Sequence, residues 1–226
     1  MNKLKVAVIG VGGISTSHIN AYLGNPDVEL YAFCDINEKR LKEKGARFGV
    51  TRLYTDEDEM LKALPELDAV SVCVWNRNHA SCAIKALDAG KHVLCEKPLA
   101  MNAEEGKAML DAAKRNNRLL MVGFCCRFEN AADIIRAQQK SDFFGEIYYA
   151  KASYLRRNGA PGGWFCNTAM SGGGPMIDLG VHILDLTRYL MGNPKPVSVF
   201  GATFHKLGDR HEIKAQAGYQ SASRTE

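Results

Sequence analysis

The chain reads as an α/β protein: a doubly wound parallel sheet over residues 1–124, then an α+β region over 125–226. Three observations predict this. Through the first half, short apolar runs alternate with segments of helical period, the rhythm of strands joined by crossover helices. Those runs are apolar throughout rather than at every second residue, as strands covered on both faces must be. After Phe124 the strand-like segments lengthen and alternate, the mark of a sheet with one covered face.

In order, Leu4–Ile9 is a buried strand, followed by glycines and a helix from Ile14 to Leu23. Val28–Cys34 is the second strand and Glu38–Phe48 a polar helix; a short strand at Arg52–Tyr54 and a helix at Glu57–Ala63 follow. Ala69–Val74, His92–Cys95 and Leu119–Phe124 are further strands, separated by helices at Ala80–Ala89 and Ala103–Asn116. Beyond them, Ala131–Lys140 is a helix, Ile147–Arg156 an alternating strand and Arg157–Gly174 a glycine-rich loop. Pro175 suits the first turn of a helix that runs to Met191 and stops at Gly192. Val197–Phe204 is a last alternating strand, and Lys206–Glu226 is polar and weakly patterned.

Composition narrows the function. The 226 residues are 46% hydrophobic and 24% charged, with a net charge of +4 and both signs interspersed. No basic stripe points to nucleic acid, and no apolar run is long enough to span a membrane. The N-terminus enters a strand directly, without a signal-peptide cleavage region. The seven cysteines form no CxxC pair and sit mostly in apolar runs. They are expected to be small buried thiols in a reducing cytoplasm, with no metal site.

Gly10-Val11-Gly12-Gly13-Ile14-Ser15 fits the G-x-G-x-x-[G/A/S] pattern between a strand and a helix. The first glycine permits a tight turn and the second lets backbone approach a pyrophosphate. The helix N-terminus adds amide donors. Asp35 ends the second strand, twenty residues beyond Ser15, where an acid binds ribose hydroxyls and repels a 2′-phosphate. NAD is therefore the expected cofactor. NADP is the alternative if Arg40 reaches the adenosine end. Asn76 and His79 follow the strand Ala69–Val74 at the same sheet edge and are expected to line the cofactor.

Glu96-Lys97-Pro98 closes another strand, so Lys97 emerges where ligands of such sheets bind. A partly desolvated lysine there donates to a substrate hydroxyl or developing oxyanion. Asp178 and His182, four residues apart after Gly172-Gly173-Gly174-Pro175, share one helix face and form a carboxylate–imidazole pair. His18, in the helix after the glycine turn, reads as packing. Arg127, Arg156, Arg157 and Trp164 suit a polyhydroxylated ligand through hydrogen bonds and an apolar ring face.

Three segments, Val8–Ile14, Ala89–Ala100 and Gly172–His182, resemble the Gfo/Idh/MocA oxidoreductases, in the expected order and over essentially the whole chain. The resemblance implies a Rossmann domain followed by an α+β domain with an open, mostly antiparallel sheet used for substrate and for dimer or tetramer contacts. It also implies that Lys97, Asp178 and His182 are catalytic and that Glu96 supports Lys97 and the cofactor ribose. Lys97, Asp178 and His182 then also touch substrate. The expected reaction moves a hydride between nicotinamide and a secondary hydroxyl of a sugar, inositol or related polyol. Two departures stand out. Trp75 occupies a position where the family often has proline, and family members are longer at the C-terminus, so the second sheet is expected to be incomplete here. The competing readings are an NAD-dependent glycosidase of the same fold and a non-catalytic dinucleotide-binding regulator.

Overall fold

The computed structural model describes residues 3–155 and 162–204. The chain divides into two compact units. One comprises the residues up to Gly123 with Asn167–Gly172, the other Phe124–Cys166 with the residues from Gly173 onward.

The first unit is built on six parallel strands: β1 (Leu4–Ile9), β2 (Val28–Cys34), β3 (Leu53–Tyr54), β4 (Ala69–Val72), β5 (His92–Cys95) and β6 (Leu120–Val122). Their order in the sheet is β3-β2-β1-β4-β5-β6. Helices α1 (Ser15–Leu23), α2 (Glu38–Phe48), α3 (Glu57–Ala63), α4 (His79–Asp88) and α5 (Ala103–Arg115) are the crossovers. Successive residues of β1 point to opposite faces and join different cores. Ala7 and Ile9 pack with Met60, Leu87 and Met109, whereas Val8 packs with Val11, Ile19, Phe33 and Leu41. Each large side chain buried this way contributes about 1.5–3 kcal/mol, which is why the apolar runs form strands despite their neighbours' polarity. Helix starts are fixed locally: the side chains of Asn37, Asp56 and Asn102 accept from the amides of Arg40, Glu59 and Glu105. One departure is the junction after β4, where Asn76–Asn78 forms a 3-10 turn and α4 begins at His79.

The second unit has a 3-10 turn at Cys125–Phe128, helix α6 (Asn130–Lys140), a 3-10 turn at Gly163–Cys166 and helix α8 (Val181–Leu190). Helix α7 (Thr168–Ser171), inside the expected glycine-rich loop, belongs to the first unit. Helix α6 meets the end of α8 through Gln139, whose amide donates to the Leu190 carbonyl. The turn Met176–Gly180 ahead of α8 is π-helical, which corrects the expectation of one regular helix carrying Asp178 and His182. A π turn closes on i+5, so four residues fall just short of a full turn rather than just past it.

The strands expected at Ile147–Arg156 and Val197–Phe204 are not formed among the described residues, 147–155 and 197–204. A strand exists only through a neighbour that takes up its N–H and C=O groups, and no described segment supplies one. Leu155, Val197 and Phe200 are 91–99% exposed. Arg156, Arg157 and the segment from residue 205 onward lie outside the described residues.

Candidate active site

The glycine turn sits where the sheet changes direction of winding, since the neighbours of β1 are β2 on one side and β4 on the other. Gly10 has φ +86°, and a Cβ there would lie 2.6 Å from the Cys73 carbonyl oxygen. Only glycine meets both demands. The Gly10 amide donates to the Cys34 carbonyl at 2.8 Å and the Cys73 amide to Ile9 at 2.7 Å, tying the turn to the ends of both neighbouring strands. A Cβ on Gly12 or Gly13 would meet nothing within 4 Å, so this part of the turn is open to a ligand. Ser15 is fully buried and its hydroxyl donates to the Gly12 carbonyl at 2.7 Å, so the residue in the third-glycine position braces the turn.

Asp35 is nearly buried, and three protein donors reach it. Oδ2 accepts from the Val11 amide at 2.8 Å; Oδ1 accepts from the Asn37 amide at 2.8 Å and from Arg40 Nη2 at 3.2 Å. A carboxylate has about four acceptor positions, which leaves room on Oδ2. Beside it stands a cationic feature missed in the sequence. Lys44 Nζ donates to Thr16 Oγ1 at 2.5 Å and to the Gly12 carbonyl at 3.4 Å. Burial, followed by repulsion from Arg47 and Arg40, lowers its pKa. Arg40 Nε is buried without a partner among the described residues. An open glycine surface, a helix start and an acid with spare acceptor capacity fit the pyrophosphate–ribose portion of a dinucleotide.

At the same sheet edge, Asn76 is buried and its Nδ2 donates to the Ser171 carbonyl at 2.8 Å, joining α7 to the end of β4. His79 is 1% exposed, with Nδ1 at 2.6 Å from the Pro98 carbonyl and Nε2 at 3.1 Å from the Val74 carbonyl. Both carbonyls favour the imidazolium, but burial dominates and holds the pKa below the usual histidine value. Both ring nitrogens face backbone carbonyls, and the neutral ring donates to one of them, so His79 sits between the β4 and β5 ends rather than facing a ligand. Glu96 Oε2 accepts from the Lys97 amide at 3.1 Å, while Oε1 meets His18 Nε2 at 2.8 Å. The other His18 nitrogen lies 3.1 Å from Ser71 Oγ, and the Tyr22 hydroxyl also bonds Ser71. His18 is thus a polar bridge from β4 to the Glu96–Lys97 segment, not simple packing. The signal was present: Ser15, His18, Ile19 and Tyr22 form one helical stripe, and a histidine in a buried stripe needs polar partners.

In the second unit, His182 stands in the first turn of α8 with Nδ1 3.9 Å from Cys126 Sγ, and Asp178 lies in the preceding π turn. Arg127, expected to face substrate, instead forms a two-pronged pair with Asp185: Nε to Oδ2 at 2.7 Å and Nη2 to Oδ1 at 2.5 Å. Its guanidinium also lies over the Phe124 and Tyr189 rings. The planar fork matches a carboxylate better than any single hydroxyl, so it joins the 125–128 turn to α8. Trp164 is half-buried and stacked on Phe165 at 3.9 Å between centroids. The cysteines also divide: Cys34, Cys73, Cys82 and Cys95 are buried as expected, but Cys125 and Cys166 are exposed and Cys126 is intermediate.

Residues 4–124 match the family described as oxidoreductase family, NAD-binding Rossmann fold, and residues 133–223 match the GFO/IDH/MocA C-terminal domain. The chain belongs to the Gfo/Idh/MocA oxidoreductases. Its first unit is their NAD-binding domain. It is 39% identical over 207 residues to D-glucoside 3-dehydrogenase of Escherichia coli, covering 91% of this chain and 59% of that protein. It is 31% identical to myo-inositol 2-dehydrogenase of Thermotoga maritima, covering 84% and 55%. Among solved structures, levoglucosan dehydrogenase in complex with NADH superposes with a TM-score of 0.75 at 29% identity, covering 84% of this chain and 54% of that one. An NAD-binding protein from Listeria innocua gives 0.75 at 33%, covering 84% and 55%. The chain therefore spans somewhat more than half the length of these relatives. No helix among the described residues is long and apolar enough to cross a membrane.

Proposed function

We propose that this chain carries the machinery of an NAD-dependent dehydrogenase. It would move a hydride between nicotinamide and a secondary hydroxyl of a sugar, inositol or related polyol. The observation that carries the reading is the edge of one parallel sheet: the glycine turn after β1, Asp35 after β2, Asn76 after β4 and Lys97 after β5 all lie at carboxyl ends. Relatives named as dehydrogenases of a glucoside, an inositol and levoglucosan support a cyclic polyol as substrate. NAD supplies the hydride acceptor when bound. Gly10, Gly12, Gly13 and Ile14 would hold the pyrophosphate and Asp35 the ribose, with Arg40 and Lys44 beside it. NAD is proposed over NADP because Asp35 retains an acceptor position facing that end.

Lys97 would polarise the reacting oxygen, and Glu96, held by His18, would orient the Lys97 backbone and meet a ribose hydroxyl. His182 would take the hydroxyl proton as hydride leaves, while Asp178 orients that imidazole or binds a neighbouring hydroxyl. Such positioned proton transfer contributes on the order of 10²–10⁴ in rate. Arg157 and Trp164 are retained as substrate contacts; Arg127 acts instead by fixing the turn that carries Cys126. The exposed alternating segments at 147–155 and 197–204 are proposed to pair as an open sheet when partner strands are available, the natural seat of a dimer or tetramer contact.

The test is a screen of polyols, inositols and aldoses with NAD and NADP, following absorbance of the reduced cofactor. Accumulation with at least one cyclic polyol, faster with NAD, is expected. Glycoside cleavage without net reduced cofactor, or tighter binding of NADP, would overturn the respective part of the reading.

A further inference from the structure

We infer that Cys125, Cys126 and His182 form a site for a thiophilic divalent cation, zinc above all, which occupies His182 and so holds the protein inactive. The two cysteines lie in the 3-10 turn Cys125–Phe128 and the histidine in α8, and the Arg127–Asp185 pair ties these elements together at 2.5–2.7 Å. One ligand atom from each of the three residues lies within 4.8 Å of the other two. Three atoms so placed share a point no farther than about 2.8 Å from each, so shifts of roughly half an ångström bring them to zinc–sulfur and zinc–nitrogen bonding distances. Sequence spacing hid this group, because adjacent cysteines make no CxxC motif and the histidine is 56 positions from Cys126.

The donor set selects the ion. Two thiolates and an imidazole are the ligands of zinc and of other soft cations, not of magnesium or calcium. Three protein donors leave a fourth position open, the pattern of an exchangeable rather than a closed structural site. Glu129, whose carboxylate takes a hydrogen bond from the Cys126 thiol and lines the same cavity of about 510 Å³, is available to complete or orient the set. Uptake releases thiol protons and therefore tightens as pH rises.

Metal uptake does not depend on the reaction proposed above; only its inhibitory consequence rests on His182 as proton acceptor. The experiment uses the reduced full chain. Zinc is titrated in competition with a chromophoric chelator, and cobalt(II) is added in parallel for its sulfur-to-metal charge-transfer absorption. One ion per chain is expected, with that absorption present. Cys125→Ser, Cys126→Ser and His182→Gln should each weaken binding at least tenfold, and exposed Cys166→Ser should leave it unchanged, all with wild-type circular dichroism. Absence of stoichiometric uptake, or uptake indifferent to Cys126→Ser and His182→Gln, would overturn the site. If zinc binds as described yet leaves turnover intact, the site stands and its control of His182 is refuted.

Discussion

The two units contrast in how their strand-like sequences are used. In the first, the apolar runs become paired strands, and those of β1, β2, β4 and β5 send side chains into two cores. In the second, segments that alternate just as clearly stay unpaired among the described residues and leave Val197 and Phe200 almost fully exposed. The same local preference succeeds or fails according to whether a neighbour offers hydrogen-bonding groups. Strand propensity is largely a statement about packing on a surface that must already be there.

Hydrogen exchange gives the largest contrast. Amides of β1, β2, β4 and β5 should exchange slower than those of residues 197–204 by on the order of 10³ or more, because the former open only with global unfolding. Equal protection in both would show that 197–204 is paired after all. A second break is steric: Gly10→Val pushes a side chain into the Cys73 carbonyl at a positive φ. It should cost at least about 2–3 kcal/mol and abolish NADH binding, read by thermal melting and fluorescence titration. Unchanged NADH affinity would remove the glycine turn from the cofactor site. Smaller again, His18→Ala strips Glu96 and Ser71 of a shared partner and should destabilise the first unit by about 1–3 kcal/mol. A fall in kcat with little change in NAD affinity would mark positioning of the Lys97 segment, which mere packing would not produce.

The smallest effect is a pH slope. Burial keeps the His79 pKa below its usual value, so the unfolded chain binds the extra proton. The stability gained from a neutral His79 is complete above about pH 6.5, the unfolded value, and is lost as pH falls from there toward the depressed native value. Denaturant midpoints of wild type should therefore rise with pH in that window more steeply than those of His79→Asn. The opposite slope would mean that the two carbonyls facing the ring outweigh its burial.

The strands of the first unit and the glycine turn could be read because apolar runs, turn chemistry and helix caps all point to one answer, with burial on both faces adding to it in the central strands β1 and β4. Asp35 was placed correctly at the end of β2, yet its engagement by Val11, Asn37 and Arg40 was not visible, since those bonds depend on the three-dimensional turn. His18 reads as packing in the sequence because one polar residue in an apolar stripe looks like an exception until its partners on β4 and after β5 are known. The sequence points Arg127 at substrate because Asp185, 58 residues away, carries no mark of pairing with it. The π turn before α8 left no trace in the spacing, which suits either helix type.

His182 is proposed to serve the proton and not the cofactor. Single-turnover reduction of bound NAD by an accepted polyol, measured for wild type and His182→Ala alongside NAD affinity, tests it most directly. Hydride transfer should slow by on the order of 10²–10⁴ while NAD affinity stays within about twofold. Transfer at near wild-type rate, or an equal loss in NAD affinity, would remove His182 from the proton's path.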